Sequence, residues 1–356
     1  MRHILVVPVL VLLSLAIAPA PLAEGQEPLD RIELLSLALG GDPSQYLAWS
    51  VMQRGINWKP DKEYLTTLQY AGANDALLKA LRSANRIKPG KVDPTIASKE
   101  RAVVAHLAHA AESNPQKQDA RVEQDYRAAL QILPERPVLH ELLGVYLQQQ
   151  GRMNGAMAEF REAARLQPDR IRPHYLLGSA FSGMRNFDGA IAEYGIVLQQ
   201  EPDSAWMHNR LGLALVGKGE LAEAIREYRT AIRLRPDFAT AHCNFGDALF
   251  ATGDIEGAIA RYRYALQLSP DFAEAHNNLG AALVRKGDVE EAIREFRTML
   301  RLKPDNARAH FNLGCVLAQK GDHREGLAEI RAAIELAPND QTMHEVYDTL
   351  LKQVRH

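Results

Sequence analysis

Histidine is the residue type whose spacing most invites a chemical reading. Eight of the twelve histidines, His106, His140, His174, His208, His242, His276, His310 and His344, recur at 34-residue intervals. Imidazoles bind transition metals, and one ion needs its ligands to converge at about 2.1 Å from it. A fixed long interval instead places each ring on a separate structural unit. Units that stack at the roughly 10 Å of packed helices keep neighbouring rings too far apart to share an ion. The ladder therefore reads as packing between units, with no metal and no other cofactor expected. A diffuse pH response remains compatible with it, because part-buried imidazoles charge near pH ~6.

Asparagine forms a second ladder. Asn244, Asn278 and Asn312 share one register, and Asn209 and Asn277 occupy the register before it. An amide side chain both donates to and accepts from a peptide backbone. Such a row suits the binding of an extended chain without reading its sequence; the alternative is that asparagine is simply common in repeats of this type. Tyr175, Trp206, Phe250 and Phe311 lie on the same segments. They would add apolar contacts to a bound chain, or pack between units.

Other chemistry is hard to find. The sequence has no nucleophile elbow, phosphate-binding loop or Cys-x-x-Cys, so no catalytic residue is expected. Cys243 and Cys315 fall two units apart, about 20 Å by helix stacking, whereas a disulfide needs Cα atoms within ~7 Å. Both read as free thiols. Glu290, Glu291, Arg294 and Glu295 alternate at helical spacing and read as a solvated face with weak ion pairs. The formal net charge is −2, without a basic tail or acidic run. A nucleic-acid binder would need a clustered positive face, so that partner class is not expected.

These residues are positioned by a repeat. Gly144, Gly178, Gly212, Gly246, Gly280 and Gly314 are 34 residues apart, as are Pro134, Pro168, Pro202, Pro236, Pro270, Pro304 and Pro338. Ala156, Ala190, Ala224, Ala258 and Ala292 keep the same phase, and so do Tyr126, Phe160, Tyr194, Tyr228, Tyr262 and Phe296. In "AEAHNNLGAALVRKGDVEEAIREFRTMLRLKPD", Ala275, Leu279, Ala282 and Leu283 mark one helical face. Gly287 and Asp288 break that helix. Ala292, Ile293, Phe296 and Leu300 mark a second, which Pro304 stops. The glycine and alanine let the two helices approach, and the aromatic fills the gap beneath them.

The registers resemble the tetratricopeptide repeat, with its Leu-Gly, Ala, aromatic, Ala and Pro positions. The resemblance runs from about 103 to 338. Six units are regular: 137–170, 171–204, 205–238, 239–272, 273–306 and 307–340. A seventh, 103–136, is degenerate, with Ala110 at the glycine position. The last unit has Gly326 and Ile330 where alanine and an aromatic belong, as terminal repeats tend to. Residues 341–356 read as a closing helix with Val346 and Leu350 inward and Lys352 and Arg355 outward. The family resemblance implies an all-α, right-handed superhelix over 99–340, with a concave groove lined by the first helices and used to bind a peptide or partner helix. In that family the histidine register usually holds a bulky residue packed on the next unit. The runs "AHCNFGDALFATGD", "AHNNLGAALVRKGD" and "AHFNLGCVLAQKGD" resemble the arm of the O-linked N-acetylglucosamine transferase, in the repeats alone and without a catalytic domain. The carboxylate clamp of chaperone-binding repeats is absent. Its Lys and Asn positions hold residues such as Glu141, Tyr175 and Cys243, and Val145, Ser179 and Asp247.

Residues 27–86 lack the register and predict a small helical module of four helices. The first carries Ile32, Leu35 and Leu39. The second opens at Pro43 and carries Tyr46, Leu47, Val51 and Met52. Asp61 and Asn74 cap the third and fourth. Residues 87–98 read as a linker. At the start, Arg2 and His3 precede an apolar run, Ile4 to Ile17, too short to span a bilayer. With Ala18, Ala20 and Ala23 it reads as an export signal over 1–25, and no later segment is apolar enough to span. The sequence thus predicts an exported scaffold, periplasmic or secreted, that binds a protein or peptide and does not catalyse. The alternative is a targeting or accessory subunit of a separately encoded envelope enzyme such as a glycosyltransferase or peptidase.

Overall fold

A computed structural model of the chain describes residues 28–42, 44–56, 58–84, 94–113 and 120–355. The expected export signal, most of the 87–98 linker, Pro43 and the side chains of Tyr46 and Arg355 lie outside the described residues. No helix among the described residues is long and apolar enough to cross a membrane. Over 99–356 the described residues contain helix and turn but no strand, as the registers predict. The chain divides into two compact units, Met1–Leu177 and Gly178–His356.

The first unit opens with four short helices, α1 (Arg31–Leu39), α2 (Ser44–Arg54), α3 (Lys62–Tyr70) and α4 (Asp75–Ser83). Local chemistry starts them. Asp30 accepts from the Glu33 N–H and Asp61 from the Tyr64 N–H, each at 2.8 Å, and Asn74 accepts from the Leu77 N–H at 3.1 Å. Leu47, Ala48 and Val51 form the buried face of α2. Met52 is one residue, about 100° of helix, further round and is 59% exposed, so it is not the inward residue the periodicity predicts. Helix pairs follow: α5 (Pro94–Glu112) with α6 (Ala120–Ile132), and α7 (Pro137–Gln149) with α8 (Met153–Leu166). Residues 94–98, read as linker, form the first turn of α5.

The small module is not a free appendage. Helix α1 packs against both α5 and α7. Glu141 on α7 is buried and forms ion pairs with Arg170 and, at 3.1 Å, with Arg172. Arg172 also pairs with Asp42 at 2.8 Å, and Arg170 with Glu33 at 3.5 Å. Arg54 joins Glu33 at 3.2 Å, and Arg136 pairs with Asp30. Three carboxylates of the module, Asp30, Glu33 and Asp42, are thus tied to Arg136, Arg170 and Arg172, which flank the first regular repeat or end it.

Helix α9 (Ile171–Gly183) runs from the first unit into the second. The second then contains α10 (Phe187–Gln200), α11 (Ala205–Lys218), α12 (Leu221–Leu234), α13 (Ala239–Thr252), α14 (Ile255–Leu268), α15 (Ala273–Lys286), α16 (Val289–Leu302), α17 (Ala307–Lys320), α18 (His323–Leu336) and α19 (Gln341–Arg355). Consecutive helices pack in order. The first helices also touch their successors, α11 with α13, α13 with α15 and α15 with α17, and so form a continuous inner row. Tyr228, Tyr262 and Phe296 are buried between the two helices of their repeats. Helices α11, α13, α15 and α17 each end on a glycine with positive φ, +100° at Gly287, where a side chain would be strained. At the C-terminal end Ile330 takes the aromatic's place, and Phe311, Ile330, Ala333, Met343 and Leu350 close the core under α19. Val346 packs on this cluster and Lys352 faces solvent.

Candidate peptide-binding face and the ladders beside it

The asparagine register sits on the inner row, part-exposed, and its side chains are not idle. The Asn244 amide donates to Asn209 Oδ1 at 2.9 Å, one repeat earlier. Asn312 donates to Asn277 Oδ1 at 3.2 Å in the same relation. Asn278 donates to Asp247 Oδ1 at 2.8 Å and lies 3.9 Å from the Cys243 sulfur. Asn277 in turn donates to Asn278 at 3.2 Å. Each asparagine of the later register thus bridges to the preceding repeat. These amides are consequently part of the stacking between repeats. Asn209 is 3% exposed and serves the bridge alone.

The aromatic candidates divide. Tyr175 and Phe311 are each 6% exposed, so they are packing residues and not groove contacts. Phe311 packs with Ile330, Met343 and Leu350. Trp206 is largely buried, with the Arg210 guanidinium 4.8 Å above its ring. Phe250 is part-exposed, with Arg285 at 5.6 Å.

Asp247 was not singled out by the sequence. Tyr262 donates its hydroxyl to Oδ1 at 2.7 Å, beside the Asn278 amide. Burial pushes its carboxyl up to about 7, against the pull of those two hydrogen bonds. The neighbouring Cys243 is buried and its thiol is pushed well up by burial and by Asp247; Cys315 is pushed up to about 11 by burial. Both cysteines are free.

The histidine ladder proves to be a second set of inter-helix bonds. In His140, His208, His276 and His310, Nε2 donates to the proline carbonyl six residues earlier at 2.9 Å. Nδ1 of the same rings meets the carboxylate 19 residues later, Glu159 at 2.7 Å and Glu227, Glu295 and Glu329 at 2.6 Å. Glu295, read as a solvated charge, is therefore a partner of His276. In His140 and His208 the two acceptors at the two ring nitrogens are both satisfied only by a doubly protonated ring. Burial alone would lower the pKa of His140 and His208, but the carboxylate and carbonyl bonds hold both above the usual histidine value. The signal was present in the sequence: Asp125, Glu159, Glu193, Glu227, Glu295 and Glu329 form an acidic register, each 19 residues after a histidine. Among the described residues no three His, Cys, Asp or Glu side chains converge as metal ligands.

These pKa directions set a pH dependence. His140 and His208 hold their protons more tightly folded than unfolded, where histidine titrates near ~6.5. Their contribution is complete below that value and is lost as pH rises through the folded values. Asp247 acts in the same direction, because it keeps its proton to about 7 when folded and releases it near ~3.9 when unfolded. The melting temperature is therefore expected to fall from about pH 5.5 to about pH 8. Asp247→Asn should raise it at the alkaline end, and His208→Gln should flatten the near-neutral part of the slope. Equal melting temperatures for the parent chain at both ends would contradict the assignment.

Family comparisons agree with the geometry. Models described as TPR repeat match residues 214–253 and 246–287, and models described as tetratricopeptide repeat match 139–170 and 282–341. Residues 139–170 and 214–341 are tetratricopeptide repeats. The array is similar in fold to solved tetratricopeptide structures. A tetratricopeptide repeat protein from Parabacteroides merdae is 13% identical, with a TM-score of 0.58, covering 72% of this chain and 99% of that one. The hetero-tetramer Cut9–Hcn1 of the APC/C gives 15% identity and a TM-score of 0.57, over 86% of this chain and 62% of that one. PilF of Pseudomonas aeruginosa gives 17% and 0.52, over 64% and 99%. At these identities the likeness concerns the fold. No curated protein sequence matches the chain.

Proposed function

We propose that the chain is an exported, non-catalytic tetratricopeptide scaffold that holds a peptide or protein segment along the inner row of α11, α13, α15 and α17. The observation that carries this reading is the amide ladder. Asn244, Asn278 and Asn312 are fixed by bonds to the preceding repeat, yet remain part-exposed. Pre-oriented amides lose little rotamer entropy on binding. Repeat spacing of about 10 Å matches roughly three residues of extended chain at ~3.3 Å each, so one ladder spans about seven residues. Asp247 adds selectivity. Its Oδ1 accepts two internal hydrogen bonds, while a cation brought by the partner would favour its ionised form. Export rests on the apolar run Ile4 to Ile17, and a periplasmic or secreted location follows from it.

The test uses a partner captured on the full mature chain and then identified. Changing Asn244, Asn278 and Asn312 together to alanine is expected to weaken its binding roughly ten- to a thousandfold, allowing for non-additivity. Because the amides also bridge repeats, the same variant should lose about 0.5–1.5 kcal/mol of stability per bond and remain folded. A folded triple variant with unchanged affinity would reject the inner row as the binding face.

A further inference from the structure

One repeat departs from its neighbours at three registers, and the departures meet in one place. The register that holds Leu143, Leu177, Leu211, Leu279 and Leu313 holds Phe245 in repeat 239–272. The acidic register that partners the histidines holds Arg261 there. The third change is Gly257. In the next two repeats that position is Glu291 and Glu325, which pair with Arg263 and Arg297 of the preceding repeat at 2.7 and 2.6 Å. Arg229 occupies the same register as those arginines, and with Gly257 opposite it no carboxylate among the described residues answers it. Arg233 has no ion-pair partner among the described residues either. The guanidinium carbons of Arg229 and Arg261 instead lie 5.8 and 5.2 Å from the centre of the Phe245 ring.

Together these residues line an open cavity of about 420 Å³ on the second-helix side of the array. Its remaining wall is largely apolar, with Ile232, Leu249 and Ala260, and its one carboxylate is Asp254. Asp254 is already engaged, accepting from the Gly257 N–H at 2.9 Å to cap α14. The loss of the usual acid leaves a mark on His242 as well. Its Nε2 donates to the Pro236 carbonyl at 3.0 Å, but its Nδ1 is buried without a partner. Burial lowers its pKa, and Arg261 lowers it further. The substitution thus costs the repeat a bond that its neighbours keep.

We infer that this cavity is a binding site for a small organic phosphate, separate from the inner face. Three guanidiniums against one carboxylate favour a dianion. Arginine offers paired N–H donors that match phosphate oxygens. An aromatic ring holds two of the guanidiniums in place without neutralising them. The aliphatic wall would cover the organic part of the ligand, and the volume lies in the range of small-molecule sites.

The test titrates phenyl phosphate and inorganic phosphate into the full chain at low ionic strength, by calorimetry. Phenyl phosphate is expected to bind at one site, more tightly than inorganic phosphate. Arg261→Glu restores the residue of the other repeats, so it should fold and raise the melting temperature by re-pairing His242. It should also weaken phenyl phosphate binding at least about tenfold, as should Arg229→Gln. Arg297→Gln removes an arginine of the same register that is already paired with Glu325, and should leave affinity unchanged. Absence of binding by the parent chain, equal affinity for the two phosphates, retained affinity in a folded Arg261→Glu variant, or an equal loss in Arg297→Gln would each overturn the site.

Discussion

Replacing Glu141 by alanine should destabilise the Met1–Leu177 unit by about 3–5 kcal/mol. Glu141 is 1% exposed and meets both Arg170 and Arg172. Its removal leaves two guanidiniums short of a partner in a place water does not reach. The desolvation cost of those charges is what makes the loss large, because the pairs themselves roughly break even against an apolar core. Asp42 and Glu33 would retain one arginine each, which keeps the effect below complete unfolding. The loss should be localised. Trp58 donates its indole N–H to the Leu29 carbonyl at 3.2 Å and packs edge-on against Tyr64 at 4.6 Å, so its environment reports on the module. Hydrogen exchange should show α1 to α4 and α7 opening first, with α13 to α17 protected as before. If Glu141→Ala unfolds with the parent's midpoint, the ion network does not fasten the module to the repeats.

That network also shows where the sequence was silent. Glu141 occupies an ordinary register of the repeat, and Asp30, Glu33 and Asp42 lie more than a hundred residues from their partners Arg136, Arg170 and Arg172. No local pattern links them, since the pairing depends on how a non-repeating module docks. The repeat itself was legible because its information is local and recurs: Gly246, Tyr262 and Pro270 restate the positions of Gly212, Tyr228 and Pro236. The same periodicity found the asparagine and histidine registers but not the partners that each side chain takes. Asn244 reaches Asn209 at a separation of 35 residues, and His208 reaches Glu227 at 19. These offsets become visible only once the stagger between helices is known. The aromatic candidates divide for a related reason. A helical wheel places Phe250 of α13 and Phe311 of α17 on the same helix face, but only the packing under α19 buries Phe311. The departures at Phe245, Gly257 and Arg261 are equally local, but a single repeat that breaks a shared register carries no periodic signal of its own.

A pair of glycine-to-alanine changes should give opposite signs in the same unit. Gly195 lies inside α10 with open space where a side chain would go. Alanine there is expected to stabilise the helix by up to ~1 kcal/mol, the intrinsic propensity difference. Gly246 lies inside α13, where local propensity favours alanine just as much. Its added Cβ, however, would stand 2.5 Å from Cε1 and 2.8 Å from Cδ1 of Tyr262. Tyr262 cannot swing aside, because it is 2% exposed and its hydroxyl is bonded to Asp247. The helices must therefore separate. Overpacking of a filled core costs about 1–3 kcal/mol, occasionally more. Separation would also stretch the Tyr262–Asp247–Asn278 chain that joins this repeat to the next, so the observed cost should lie at the upper end. Gly246→Ala is thus expected to lower stability by about 2–3 kcal/mol net, while Gly195→Ala raises it. Chemical denaturation of the two variants beside the parent chain decides the matter. If both are stabilised, close helix approach is not what keeps glycine at this register, and the tight pairing on which the inner row depends is misassigned.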